Sequence, residues 1–403
     1  MPLNILVVNC GSSTVKYQLF QMEDEDHYNV MAKGVVERIG IPGSRLEHHT
    51  PSGDFVEEQP VANHRVALEL VLATLTAGKA RVLSSIREIE AVGHRVVHGG
   101  EKFTGSVLIT DEVLAAIRSF ADLAPLHNPP NILGIEACQE LMPGTPQVAV
   151  FDTAFHGTLP EYAYIYPIPY EYYEKYRIRR YGFHGTSHRY VAERAAKMMG
   201  RDLGELRLIT CHMGSGVSFA AIRYGKSIDT SMGFTPLEGL VMGTRCGDID
   251  PAIIFFLMDK EGLSAKQVEE ILNKKSGVLG VSGISSDTRD IEDAAPHNHR
   301  ARLTLEIIAY RAKKYIGAYY AILGGLDGLV FTAGIGENSS YIRKSICSGL
   351  EHLGILIDDE RNTVRRKEAF ISRDDSPVKV MVIPTNEELM IARDTWRIVR
   401  TMR

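Results

Sequence analysis

Apolar residues run without interruption from Ile5 to Val8, and polar and apolar positions then alternate from Val15 to Leu19. Between them lies the small, hydroxyl-rich segment Asn9-Cys10-Gly11-Ser12-Ser13-Thr14. Period-two alternation around a Gly/Ser turn predicts a strand–turn–strand hairpin over residues 3–20. The pattern recurs far downstream in LRLITCHMGSGVSFAAI, Leu206–Ile222. There Asn9 aligns with His212 and Gly11 with Gly214. A real repeat implies two related domains, each opening with a turn toward a shared cleft, and a boundary near residue 150. Other segments alternate in kind. IEAVGHRVVHGG, TPQVAVFDTAFHG and DGLVFTAGIGENS read as strands, the last running into a glycine turn. NPPNILGIEACQELMPG reads as a helix capped by Asn128, TSHRYVAERAAKMMG as one closed by Gly200, and TLEIIAYRAKKYIGAYYAILGG as a long one stopped by Gly324. VKVMVIPTNEELMIARDTWRIVR reads as a strand followed by the last helix. Strands alternating with helices predict α/β architecture with partly parallel sheets.

Composition narrows the class. The 403 residues are 44% hydrophobic, enough for two cores. The net charge of −5 offers no bulk attraction for nucleic acid or an anionic membrane. No segment approaches the roughly 20 apolar residues of a membrane span, and the N-terminal apolar run is strand-length with no basic leader before it. Five scattered cysteines without a C-x-x-C pair point to a reduced, cytoplasmic enzyme rather than a disulfide framework or structural zinc site.

Three Gly-rich turns, each just after an apolar strand, carry the first chemical signal: NCGSST with Lys16, HMGSG (His212–Gly216) and TAGIGEN (Thr332–Asn338). Glycine lets backbone N–H groups approach an anion, and hydroxyls add donors. Taken singly, each turn also reads as an ordinary tight turn. Basic residues inside apolar surroundings add a second signal: His94, Arg95 and His98 among Val92, Val96 and Val97, His127 beside two prolines, His184 after Phe183, and Arg245 in a Gly-rich loop. An arginine there is costly without a partner or a cleft to face, although a structural ion pair or a core histidine is the plain alternative for each. Asp152 stands at the end of a buried strand. In PTNEELMIA, Thr385 reads as an N-cap with Glu388 as its capping-box partner, which leaves Glu387 for a hydrated Mg²⁺. No P-loop, dinucleotide fingerprint, zinc-protease helix or nucleophile elbow is present.

NCGSSTVK, GHRVVHGGE, LAPLHNPPN, FDTAFH, YGFHGTSH, SMGFTPLEGLVMGTRCGDIDP, SGVLGVSG, FTAGIGEN and PTNEEL, in this order from end to end, resemble the acetate kinase family. The resemblance implies a duplicated actin-like ATPase (ribonuclease H-like) α/β fold with two domains around a central nucleotide cleft, 1–151 plus 386–403 and 152–385. It implies a homodimer and the reaction ATP + acetate ⇌ ADP + acetyl phosphate with Mg²⁺, Mn²⁺ being an alternative. By motif, Asn9 and Glu387 would hold the metal, and Ser12 and Lys16 would meet the ATP phosphates. His212, Met213, Gly214, Ser215, Gly216, Asp287, Thr288, Arg289, Gly334, Ile335, Gly336, Glu337 and Asn338 would surround the nucleotide. Arg95 would bind the carboxylate, His184 and Arg245 would stabilise the transition state, and Asp152 would be the catalytic acid residue. Val97, Leu126, Phe183 and Pro236 match the pocket for the acyl methyl, with His127 beside them. Ser215 stands where the family usually has Asn, and Thr14 where it usually has Ser. Acetate is ionised at neutral pH, so no general base is needed and transfer is a matter of positioning and charge. A propionate or other short-chain acid kinase is the nearest rival reading, and a non-catalytic actin-like ATP switch the rival of a different class.

Overall fold

The computed structural model describes residues 2–402 apart from 122, 123, 125 and 126, so Leu126 lies outside the described residues. The chain forms two compact units, Met1–Phe155 with Asn386–Arg403, and His156–Thr385.

The first unit holds an eight-stranded sheet of β1 (Leu3–Cys10), β2 (Thr14–Met22), β3 (Tyr28–Glu37), β4 (Arg45–Thr50), β5 (Gly53–Glu58), β6 (Ala91–Val96), β7 (Val107–Leu108) and β8 (Gln147–Phe151), in the order β5-β4-β3-β2-β1-β6-β8-β7. The predicted hairpin is β1–β2, paired from Leu3↔Met22 to Cys10↔Val15. Helices His64–Thr76 and Asn128–Leu141 pack on the sheet over a core that includes Val8, Val15, Leu68, Val71 and Cys138. The second unit holds β9 (Arg207–Met213), β10 (Val217–Arg223), β11 (Lys226–Thr230), β12 (Gly328–Thr332), β13 (Ala369–Phe370) and β14 (Lys379–Val382), in the order β11-β10-β9-β12-β14-β13.

The repeat read from two short turns extends through both sheets. β3-β2-β1 and β11-β10-β9 are antiparallel, β1-β6-β8 and β9-β12-β14 are parallel, and each sheet ends in a short antiparallel strand, β7 or β13. This is a duplicated α/β fold of the actin-like kind. In both copies the turn-bearing first strand lies at the centre of its sheet.

Local chemistry differs from the sequence reading in three places. The last helix, Glu387–Arg400, is capped by Asn386, whose side chain accepts from the Leu389 N–H at 3.0 Å; Thr385 is not the cap and Glu388 closes no capping box. A helix that starts one residue further along turns the same acidic pair to new positions. The predicted cap Asn128 is the first residue of its helix instead, with its amide buried between the His98 N–H and C=O. The glycine turn after β12 is a short helix, Ala333–Asn338, entered through Ala333 at φ 62°. Gly200 and Gly324 close their helices at positive φ, as the sequence predicts.

Candidate functional site

In the first unit the candidate residues gather at the end of β1. Asn9 stands across from Lys16 in the hairpin register. Asp152 follows β8 directly and is 1% exposed. Its carboxylate accepts from Arg95 Nε at 3.1 and 3.2 Å and from Nη2 at 2.6 Å, while Arg95 Nη1 reaches Asn9 Oδ1 at 3.4 Å. Burial tends to discharge Arg95, and the Asp152 and Glu387 carboxylates more than offset it, so its pKa is raised. Asp152 occupies one side of the guanidinium. The Nη1/Nη2 edge keeps the fork that matches a second carboxylate.

Glu387 opens the last helix, which lies against β6 so closely that a Cβ at Gly93 would meet Ile391 and Thr395. Burial pushes the Glu387 carboxyl up from 4.5 to about 7; Asp152 and Glu388 add to this and Arg95 and Lys16 oppose it. A folded pKa above the unfolded one gives stability that is complete below the unfolded value and is lost as pH rises through about 7. Glu387→Gln is therefore expected to stabilise the metal-free protein by about 3 kcal/mol at pH 8 and by little at pH 4.5. Melting temperatures at the two pH values check this; an equal shift at both would refute it. Asn9 and Glu387 form an oxygen-only donor set of the kind Mg²⁺ takes, and a divalent cation would relieve the crowding of carboxyl groups around Glu387. Among the described residues, no three His, Cys, Asp or Glu side chains form a metal cage by themselves.

The other embedded basic residues here are core groups. Burial pushes His94 down to about 4, and its Nε2 donates to Gln147 Oε1 at 2.7 Å. His98 is buried and accepts from the Gly100 N–H at Nδ1. His127 stands at the N-cap position of its helix, and Val97 is buried with its N–H on Asn131.

In the second unit His184 sits at φ 57°, the left-handed residue from which helix Gly185–Met199 starts. Its ring stacks on His212 with centroids 4.1 Å apart. A Cβ at Gly216 would lie 3.2 Å from His184 Cε1, 3.4 Å from Nε2 and 3.6 Å from Arg245 Nη1. Glycine there leaves open the small space that the imidazole and the guanidinium both border. Arg245 Nη1 donates to the Pro236 carbonyl at 3.0 Å and meets Met242 Sδ at 3.5 Å. Burial lowers its pKa, and no carboxylate pairs with it among the described residues. A cation so placed is suited to an anion that arrives with a ligand.

The loop carrying Arg245 is fixed from several sides. Asp248 accepts from the Gly239 N–H at 2.8 Å and from Tyr315 Oη at 2.6 Å. The Gly243 N–H donates to the Ser215 carbonyl, tying the loop to the β9–β10 turn. Arg180, reaching the carbonyls of Thr230 and Met232 and the Glu238 carboxylate, braces the start of the loop.

A cavity of about 640 Å³ lies beside this turn, within the usual size of a small-molecule site. Of the predicted nucleotide residues, Gly214, Ser215, Asp287, Thr288, Arg289, Gly334, Ile335 and Asn338 line it. His212, Met213, Gly216, Gly336 and Glu337 do not. Met213 is buried in β9, His212 bonds Ser187, and Glu337 accepts from the Thr385 N–H. The Gly336 carbonyl is held by Arg343, a fully buried guanidinium that also bonds Asn362 and the Val364 carbonyl and is pushed down to about 10 by burial. Sequence reasoning missed Ser286, Glu292, Asp293, Ser339, Arg365 and Arg366 in the lining. Arg365 and Arg366 look like a solvated charge run, and nothing in their local sequence brings them to the cavity.

Residues 4–393 match the acetokinase family. The chain is 61% identical to the acetate kinase of Dictyoglomus turgidum over 399 residues, 98% of each chain. The crystal structure of Porphyromonas gingivalis acetate kinase superposes with a TM-score of 0.94 at 51% identity, covering 98% of this chain and 100% of that one. A propionate kinase from Francisella tularensis superposes at 0.91 with 44% identity over the same shares. Coverage from end to end at these identities shows that the chain belongs to the acetokinase family.

Proposed function

We propose that the protein transfers the γ-phosphoryl group of ATP reversibly to acetate, giving ADP and acetyl phosphate, by direct in-line attack. The single observation that carries the reading, beside the family, is the pair His184 and Arg245 on one small space over Gly216, the arginine with no carboxylate of its own among the described residues. In this reading Arg95, held by Asp152, takes the acid's carboxylate. Asp152 is a positioning residue and abstracts no proton, because acetate is already ionised near neutral pH. Ser12 on the first turn and Lys16 in β2, both exposed, meet phosphate oxygens. The lining of the 640 Å³ cavity takes the nucleotide. His184 and Arg245 stabilise charge on the transferring group. Asn9 and Glu387 hold Mg²⁺ or Mn²⁺, which when bound neutralises charge on the β- and γ-phosphates. Val97, Leu126, His127, Phe183 and Pro236 are the residues that the family resemblance offers for the acyl group.

Propionate is the second reading, favoured by the likeness to a propionate kinase. An apolar pocket separates homologous acids by only about 1–3 kcal/mol per methylene. Measuring kcat/KM for ATP with acetate, propionate and butyrate decides: acetate is expected to lead, a lead for propionate reassigns the substrate, and ATP turnover indifferent to all three returns the protein to an ATP switch.

We assign the chain to a homodimer. Helix Ala252–Glu261 buries none of its residues, and Phe255 and Phe256 are 69% and 61% exposed. A second copy covering them would remove an apolar patch that a monomer rarely shows. No described helix is long and apolar enough to cross a membrane; a cytoplasmic enzyme without nucleic-acid or membrane partners is the reading consistent with the charge and cysteine usage.

A further inference from the structure

The hairpin register of the two repeats assigns a position that sequence alignment misplaces. Asn9 pairs with Lys16 across β1–β2, and its counterpart His212 pairs with Ser218 across β9–β10. The second turn is one residue shorter, so Ser218, not Phe219, takes the place of Lys16. It is fully buried, and its hydroxyl lies 2.8 Å from His184 Nδ1 and 2.8 Å from His188 Nε2. His188 Nδ1 in turn lies 2.7 Å from Thr210 Oγ1.

We propose that Ser218 is a positioning residue for phosphoryl transfer, the last link of a directional chain Thr210–His188–Ser218–His184 that keeps the His184 proton on Nε2, over Gly216. This rests on the role given to His184 above.

The direction follows from counting protons. Thr210 and Ser218 are both fully buried, and each hydroxyl has one proton to place. Thr210 has the His188 ring as its side-chain partner. If Thr210 donates to His188 Nδ1, a neutral His188 carries its proton on Nε2 and donates to Ser218. Ser218 then donates to His184 Nδ1, and both buried hydroxyl protons have acceptors. His188 is neutral because burial, with His156 and His212 nearby, holds its pKa well below the usual range. In the reverse direction the Thr210 proton is buried with no side-chain acceptor among the described residues, and His184 presents an unprotonated Nε2. With the chain running forward, Nδ1 of His184 is an acceptor, and a neutral ring must carry its proton on Nε2. That N–H borders the same space as Arg245 Nη1, where a phosphoryl oxygen would need donors. Stacking on His212, itself anchored through Ser187 to Thr385, fixes the plane of the ring.

The test uses the full-length protein labelled with ¹⁵N-histidine and two pairs of variants. Wild type is expected to show His184 protonated at Nε2 and not at Nδ1; the opposite tautomer overturns the proposal. Ser218→Ala is expected to give mixed tautomers and a kcat lower by about 10–100-fold, the scale for removing an orienting partner. KM for ATP and for acetate should stay within about threefold of wild type. Ser218→Thr, which keeps the hydroxyl, should recover most of the rate. Equal losses in Ser218→Ala and Ser218→Thr, or an unchanged kcat in a folded Ser218→Ala protein, overturn the proposal. Should Ser218→Ala fail to fold, Thr210→Val against Thr210→Ser carries the test, because valine is isosteric and removes the proton that sets the direction. An unchanged His184 tautomer in Thr210→Val overturns it as well. Failure of the functional reading is distinct: a wild type inert toward every short-chain acid would refute that reading, while the ring-nitrogen shifts would still decide the direction of the chain.

Discussion

Replacing Arg245 by alanine is expected to lower kcat about 10³-fold, the scale of an arginine finger, and to leave the fold intact. The transferring group carries its charge on equatorial oxygens, and a donor aimed there acts most strongly where water is excluded. Arg245 is half-buried, its pKa is lowered by burial, and its Nη1 contacts are a carbonyl and a thioether. Truncation therefore strands no carboxylate, and the stability cost is small beside the kinetic one. KM for acetate should move by less than about fivefold, since the loss falls on the transition state. Arg245→Lys should restore only part of the rate, because a point charge lacks the planar fork. Steady-state kinetics beside a melting curve make the check. A loss under tenfold would remove Arg245 from the transition state.

The second large effect is expected at Asp152. Asp152→Asn should lower kcat/KM for acetate by about 10²–10³-fold, mostly through KM, because its two oxygens hold Nε and Nη2 of Arg95 and so aim the open edge of the fork. Asparagine keeps the size but supplies one acceptor in place of the carboxylate, and Arg95 is left to the pull of Glu387. The pH dependence of kcat separates this from a general-base role: a positioning residue leaves its shape unchanged, whereas loss of a base would flatten it. Trapping a competent phospho-Asp152 intermediate would defeat both the positioning role and direct transfer.

Much of this site is legible because it lies in short contiguous strings. A Gly/Ser turn after an apolar strand announces itself through residue type and period, and so do an arginine inside a valine run and a glycine that ends a helix. The hairpin, the repeat and the closures at Gly200 and Gly324 are read in this way. Capping is not, since Asn386 and Thr385 are both good N-caps by residue type, and only the folded backbone, where Asn386 accepts from the Leu389 N–H, distinguishes them. The glycine helix Ala333–Asn338 reads as a turn because two glycines lower helix propensity. What holds its Gly336 carbonyl is Arg343, a side chain from the next helix, Ser340–Cys347.

Residue type and near-neighbour spacing are enough to reach the family and the α/β repeat, and they supply nearly every polar group proposed for the reaction. Which of those groups act on one another is settled by packing. Arg95 and Asp152 are 57 residues apart in the chain and meet because β6 and β8 run parallel side by side. His184 and Arg245 reach one space because Gly216 leaves it open. Ser218 takes the place of Lys16 because hairpin register, not residue count, sets what lies across from what. Charge, protonation and hydrogen-bond direction depend on burial and on partners distant in sequence, and those exist only once the chain has packed.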